Sequence, residues 1–186
     1  MAQHTLSVLV ENSPGVLARV AGLFARRGYN IDSLAVGPTE NPTVSRMTIV
    51  LNLEGHALDQ VSAQLFKLVN VIGIQEMTPA DSHQRELLLV KVGKKNGSAE
   101  KISDLAARFQ GRVVDETSTS MTLEVIGTSK DLDSLLAALK EFGIRELAQS
   151  GLIAMEKGDA TLAERTLSET GLASSESHSQ TADYQN

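Results

Sequence analysis

The chain contains no cysteine and no tryptophan, and its aromatic residues are four phenylalanines and two tyrosines, 3% of 186 residues. Without cysteine there is no disulfide, no thiolate zinc site, no iron–sulfur ligation and no cysteine nucleophile. So few aromatics leave no stacking platform for single-stranded nucleic acid. A net charge of -6 opposes general affinity for a phosphate backbone. No apolar run approaches the roughly 18 residues of a membrane span. Met1 to Thr5 lack both a basic n-region and a transit-peptide composition, so a cytoplasmic location with no membrane and no nucleic-acid partner is expected. What is present is a 41% apolar content, enough to bury a core.

The charge is unevenly placed. Residues 159–186 are rich in Ser, Thr, Glu and Ala and carry five acids against Arg165, a net of -4, so residues 1–158 hold only -2 of the total -6. A stretch this polar is expected to form a disordered tail, with Leu162 and Leu167 supporting at most a short helix near its start.

The first 158 residues read as two similar halves. In the first, Leu6 to Val10 is a strand, and Glu11-Asn12-Ser13-Pro14-Gly15 is dense in turn formers. Val16, Val20, Leu23 and Phe24 then recur at helical spacing up to Gly28, a left-handed C-cap position. Ile31 to Val36 is a second strand, Thr39 to Thr43 a loop, and Met47 to Leu53 a third strand with alternating burial. Leu58, Val61, Leu65 and Leu68 give a helix face, and Val71 to Met77 a fourth strand. After a polar seam at Thr78 to Arg85 the order β-α-β-β-α-β repeats. Its strands are Glu86 to Val92, Arg112 to Glu116, Met121 to Ile126 and one from Ile144; its helices carry Ile102 and Phe109, then Leu132 and Leu139. Met47-Thr48 matches Met121-Thr122, and Leu58-Asp59 matches Leu132-Asp133, at one common offset. The expected fold is α+β: two tandem ferredoxin-like units, each an antiparallel sheet with helices on one face. The expected domains are 1–78, 79–158 and the tail 159–186. Each sheet keeps an apolar open face, which predicts an oligomer.

Catalytic constellations are missing. His4, His56, His83 and His178 show no metal-ligand spacing. Asp115 and Glu116 are adjacent on a strand and point to opposite faces. Gly93-Lys94-Lys95-Asn96-Gly97-Ser98 lacks the spacing of a phosphate loop and reads as a flexible turn. The fold order also occurs in RNA-binding modules, but the central strands here carry Leu, Val, Ile and Met where those carry aromatics.

The first strand-to-helix turn is the exception. Backbone N–H groups of a first helical turn are unpaired and, with the helix dipole, favour an anion. Gly15 permits close approach of a ligand, and Asn12 and Asn30 supply amides that both donate and accept. Leu17, Ile31 and Val36 offer apolar surface. Asn30 opens the second strand, so it belongs near the other end of the helix and could meet Asn12 only across a dimer interface. An ordinary Asx-Pro-Gly turn fits the same residues. If the turn is a site, its chemistry suits a small apolar α-amino acid.

Leu6 to Asn12 with Pro14-Gly15-Val16-Leu17 and Arg19-Val20 resembles the start of an ACT domain. Gly22-Leu23-Phe24, Arg26 to Leu34, Ser45 to Ile49, Gln64-Leu65 and Lys67-Leu68-Val69 extend the likeness, and together they resemble the small, regulatory subunits of acetolactate synthase (acetohydroxyacid synthase). Arg85 to Val92, Gly127-Thr128 and Ser150-Gly151 carry it through the second half, so it covers residues 4–158.

The resemblance implies a non-catalytic chain with no cofactor of its own. Its partner would be a large catalytic subunit carrying thiamine diphosphate, Mg²⁺ and FAD, which makes acetolactate or acetohydroxybutyrate from pyruvate. The small subunit would raise that activity and confer feedback inhibition by valine, sometimes with leucine or isoleucine. The family's ligand lies at an ACT homodimer interface, on positions that match Asn12, Gly15, Val16 and Leu17 of one chain and Asn30 and Ile31 of the other. A free-standing ACT-type amino-acid sensor and a small enzyme are the alternatives.

Overall fold

The computed structural model describes residues 2–54, 56–95 and 97–169. Two compact units emerge: the described residues up to His83 joined by those from Met155 onward, and Gln84–Ala154.

In the first unit β1 (Ala2–Glu11), α1 (Val16–Arg26), β2 (Ser33–Pro38), β3 (Val44–Leu53), α2 (Ala57–Leu65) and β4 (Val71–Glu76) follow the expected order. The four strands form an antiparallel sheet in the order β2-β3-β1-β4. Leu6 opposite Ile49 and Val8 opposite Met47 share one face. On that face Val16, Val20, Leu23 and Phe24 of α1 and Val61 and Leu65 of α2 close the core. Each such side chain contributes roughly 1.5–3 kcal/mol of burial.

Helix α1 stops as its sequence indicates. Gly28 has φ +69°, its N–H donates to the Ala25 carbonyl at 3.1 Å, and the Tyr29 N–H donates to Phe24 at 3.1 Å. This double bond pattern is a Schellman stop, and a left-handed residue at that position favours glycine. β2 begins two residues later than expected. The Asp32 carboxylate accepts from the side-chain amides of Asn30 (2.6 Å) and Asn52, which holds Asn30 and Ile31 in the connection ahead of the strand.

The second unit holds β5 (Ser82–Gly93), α3 (Ala99–Arg108), β6 (Arg112–Glu116), β7 (Ser120–Gly127), α4 (Ser129–Leu139), a single 3-10 turn and β8 (Ile144–Gln149). Its sheet order, β6-β7-β5-β8, repeats that of the first unit, and a short strand β9 (Ile153–Glu156) also pairs with β5. The duplication extends to an irregularity. Register slips between Leu9 and Val10 where β1 meets β4, and between Lys91 and Val92 where β5 meets β8. β5 starts inside the expected polar seam, because Thr78 and Asp81 close a tight turn (Thr78 Oγ1 to Asp81 Oδ2, 2.8 Å) and the Ser82 hydroxyl donates to the Thr78 carbonyl at 2.5 Å.

Residues 159–169 depart from the expected solvated tail. α5 (Leu162–Glu169) packs against β4, with Leu162 4% and Thr166 8% exposed. Thr161 and Glu164 cap its start (Glu164 N–H to Thr161 Oγ1, 3.1 Å; Thr161 N–H to Glu164 Oε2, 2.9 Å), and Arg165 pairs with Glu156 at 2.5 Å. Thr166 lies over Gly73, which is the Cα partner of Leu9 and so faces away from the α1–α2 layer. α5 therefore occupies the sheet face that was expected to be open. Residues 170–186 of the expected tail lie outside the described residues.

Two outcomes are expected. A side chain on Gly73 collides with Thr166. Gly73→Val should release α5 and raise hydrogen exchange across 162–169 while leaving α1 and α2 protected. In the second unit Thr128 and Asp131 form a capping box at α4. Chiefly the Thr128 hydroxyl, at 2.6 Å, and then the Thr128 backbone N–H hold the Asp131 carboxyl below its usual range. A depressed pKa means a contribution present above the ordinary carboxylate range and lost as pH falls through the folded value. Thr128→Ala should cost about 1 kcal/mol at neutral pH, and the gap from the parent in urea denaturation should narrow as acid protonates Asp131.

Candidate functional site

The turn after β1 is held from three sides. The Glu11 N–H donates to the Asn70 carbonyl at 2.9 Å, the Asn12 N–H to Thr43 at 2.7 Å, and the Asn12 side-chain amide to the Pro42 carbonyl at 3.0 Å. Arg19 donates to the Asn70 side chain at 2.6 Å, and Asn70 in turn donates to Glu11 at 2.6 Å. This Arg19–Asn70–Glu11 chain escapes sequence reading, because its members are far apart in the chain and only the fold places β4's start beside α1.

Gly15 is the N-cap of α1, with φ +83° and ψ -6°. Nothing lies within 4 Å of the point where its Cβ would stand, so backbone geometry and not crowding within the chain favours glycine here. No side chain caps the helix and no acid sits in its first turn, so the positive end of the dipole is uncompensated. Val16 belongs to the core at 3% exposed, its N–H donating to the Ser13 carbonyl at 3.5 Å, while Leu17 stands 44% exposed beside the turn.

The fold thus brings Asn12, Gly15, Val16 and Leu17 together. Asn30 and Ile31 lie past the opposite end of α1, whose 11 residues span about 16 Å at 1.5 Å per residue. They lead into β2, an edge strand with Val36 46% exposed. Within one chain the two groups are separate.

Other motifs are absorbed by structure. His4 Nδ1 lies 2.7 Å from Glu76 across β1 and β4, and Lys94 pairs with Glu116 at 2.7 Å. Asp115 and Glu116 face Thr122 and Met121 in turn, on opposite sides of their strand. Among the described residues no cluster of three His, Cys, Asp or Glu is placed to hold a metal ion, and no helix is long and apolar enough to cross a membrane.

Two family models match the chain: the AHAS small subunit-like ACT domain over residues 6–73 and the small subunit of acetolactate synthase over residues 85–158. An acetolactate synthase small subunit of Mycobacterium leprae is 49% identical over 155 residues, 83% of this chain and 92% of that protein. A probable one from Methanothermobacter thermautotrophicus is 44% identical over 160 residues, 86% of this chain and 95% of that protein. The crystal structure of the acetolactate synthase small subunit from Thermotoga maritima superposes with a TM-score of 0.78 at 31% identity, covering 86% of this chain and 100% of that one. The two repeated sheets and these matches agree, and the chain belongs to the family of acetolactate synthase small subunits.

Proposed function

We propose that this chain is the regulatory subunit of an acetolactate synthase, activating a thiamine-dependent catalytic subunit and making it sensitive to valine or a related branched-chain amino acid. The chain itself takes no part in the chemistry. Thiamine diphosphate, Mg²⁺ and FAD belong to the catalytic partner in this reading. Residues 1–78 act as the sensing domain, and 79–158 as a second ACT-like domain.

The observation that carries the reading is the uncapped N-terminus of α1 behind a left-handed Gly15. N–H groups from Gly15 to Leu17 donate to the ligand's carboxylate, and Asn12 binds its polar end. Leu17 and Ile31 contact its branched side chain. Because α1 separates Asn30 and Ile31 from the turn, a homodimer completes the site, with those two residues supplied by the second copy. The exposed edge strand β2, which follows them, supports that arrangement. A feedback ligand needs only modest affinity; a Kd of about 1 mM corresponds to about -4 kcal/mol. Coupling of about 1–3 kcal/mol to the partner gives useful inhibition.

The activating surface is assigned to the outer face of the second sheet. Leu87 opposes Ile126 there, Leu89 lies two residues on, and all three side chains are exposed. Exposed apolar patches of this kind mark partner contacts.

Two measurements test the reading, both as catalytic-subunit activity against added chain with and without each amino acid. Gly15→Asp places a carboxylate at the anion site and should abolish valine inhibition while leaving activation intact. Gly15→Asn, equally left-handed but neutral, should keep part of the response and so separates charge from backbone strain. Normal valine inhibition of the aspartate variant would remove the site from this turn. Ile126→Glu should do the reverse, weakening activation without loss of valine binding by calorimetry. A chain that neither binds nor activates any catalytic subunit would instead be a free-standing sensor.

A further inference from the structure

One buried residue ties together both ends of the turn that follows β1. Asn70, 9% exposed, stands just ahead of β4. Its carbonyl accepts from the Glu11 N–H at 2.9 Å. Its side-chain amide donates to the Glu11 carboxylate at 2.6 Å and accepts from the Arg19 guanidinium at 2.6 Å. A guanidinium can only donate and a carboxylate can only accept, so one orientation of the amide serves both. Glu11 is the last residue of β1, and the Arg19 N–H donates to the Gly15 carbonyl at 3.0 Å in the first turn of α1. Asn70 therefore clasps the strand before the turn and the helix after it.

The second unit closes without this clasp. Register slips at the matching place in both sheets, so Gly93 stands where Glu11 does and Gly143 where Asn70 does. The backbone bond is kept, since the Gly93 N–H donates to the Gly143 carbonyl at 2.9 Å. The side-chain bonds are gone, because both positions are glycine. The main-chain bond alone thus suffices for the architecture. The polar clasp is an addition of the first unit, placed at the turn assigned to the effector.

We infer that Asn70 is a positioning residue of the effector site, an inference that rests on the reading of that turn as the amino-acid site. Asn70 fixes the spacing between Asn12 and the N–H groups at the start of α1, which have to meet one small ligand together. Without it the turn samples other arrangements, and a ligand that fits only one of them loses affinity in proportion to the fraction lost. Asn70 is buried and engaged at both ends of its amide, so it acts through the turn. Activation, assigned to the second unit, does not depend on it.

The test uses the full chain with its catalytic subunit, and valine as the probe. Asn70→Ala should raise the half-inhibitory valine concentration about tenfold, as for a binding-competent turn reduced to about a tenth of the population. The concentration of chain needed for half-activation should stay that of the parent. Activation lost in step with inhibition would mean a structural role only and would overturn the inference. A polarity swap supplies a readout that stability alone does not move. Asn70→Asp keeps an acceptor for Arg19 but sets two carboxylates together, and should impair inhibition at least as much. Adding Glu11→Gln, whose amide donates to that aspartate, should restore most of the sensitivity, the non-additivity of partners in one network. A normal valine response in Asn70→Ala, or a double variant no better than Asn70→Asp, would each overturn the inference while leaving the turn as the site, which Gly15→Asp tests on its own. A parent chain that no branched-chain amino acid inhibits would overturn both.

Discussion

Everything in the first unit follows from the burial of one sheet face beneath two helices. Leu6 and Val8 of β1 oppose Ile49 and Met47 of β3, and that apolar strip needs the face of α1 that carries Val16, Val20, Leu23 and Phe24. Once α1 lies there, its N-terminus must sit at the end of β1 and its C-terminus at the start of β2. The place of the turn between β1 and α1 is thus a by-product of core packing. Its orientation is set by core side chains, Val16 among them, and the Val16 N–H is itself held by the Ser13 carbonyl at 3.5 Å.

A four-residue turn between a strand and a helix has to reverse the chain without a capping side chain if it is to leave N–H groups for a ligand. A left-handed Gly15 does so, and the Asn12, Asn70 and Arg19 hydrogen bonds stiffen what the missing cap would otherwise loosen. The α4 helix of the second unit takes the opposite solution. Thr128 and Asp131 satisfy its N-terminus from within, so it offers nothing to an anion. In the repeat α4 is the counterpart of α2; the counterpart of α1 is α3, whose start likewise has no side-chain cap but carries Glu100 in its first turn.

The second constraint is the other face of each sheet. In the second unit Leu87, Leu89 and Ile126 leave it apolar and exposed. In the first, α5 lies across it, admitted by the absence of a side chain at Gly73. This covering is imperfect: a cleft remains, and one buried Glu156 oxygen has no donor among the described residues. Such a seat differs from a core contact, where shape and hydrogen bonding are both satisfied.

Local pattern was sufficient for most of the architecture. Helical spacing from Val16 to Phe24, alternation through Met47 to Leu53 and the repeat of Met47-Thr48 at Met121-Thr122 define two β-α-β-β-α-β units, because these periods are intrinsic to the backbone. Gly15 and Gly28 were legible for the same reason, since left-handed φ is a local requirement. Other features needed the folded chain. α5 shows only Leu162 and Thr166 one turn apart, too little apolar surface to announce a docked helix until Gly73 is seen beneath it. The Arg19–Asn70–Glu11 chain joins residues that only sheet pairing makes neighbours. The separation of Asn12 from Asn30 followed from sequence in outline, but its extent is the length of a helix whose course the core decides. Residue type and spacing specify conformation and chemistry locally, whereas proximity between distant segments is a property of packing.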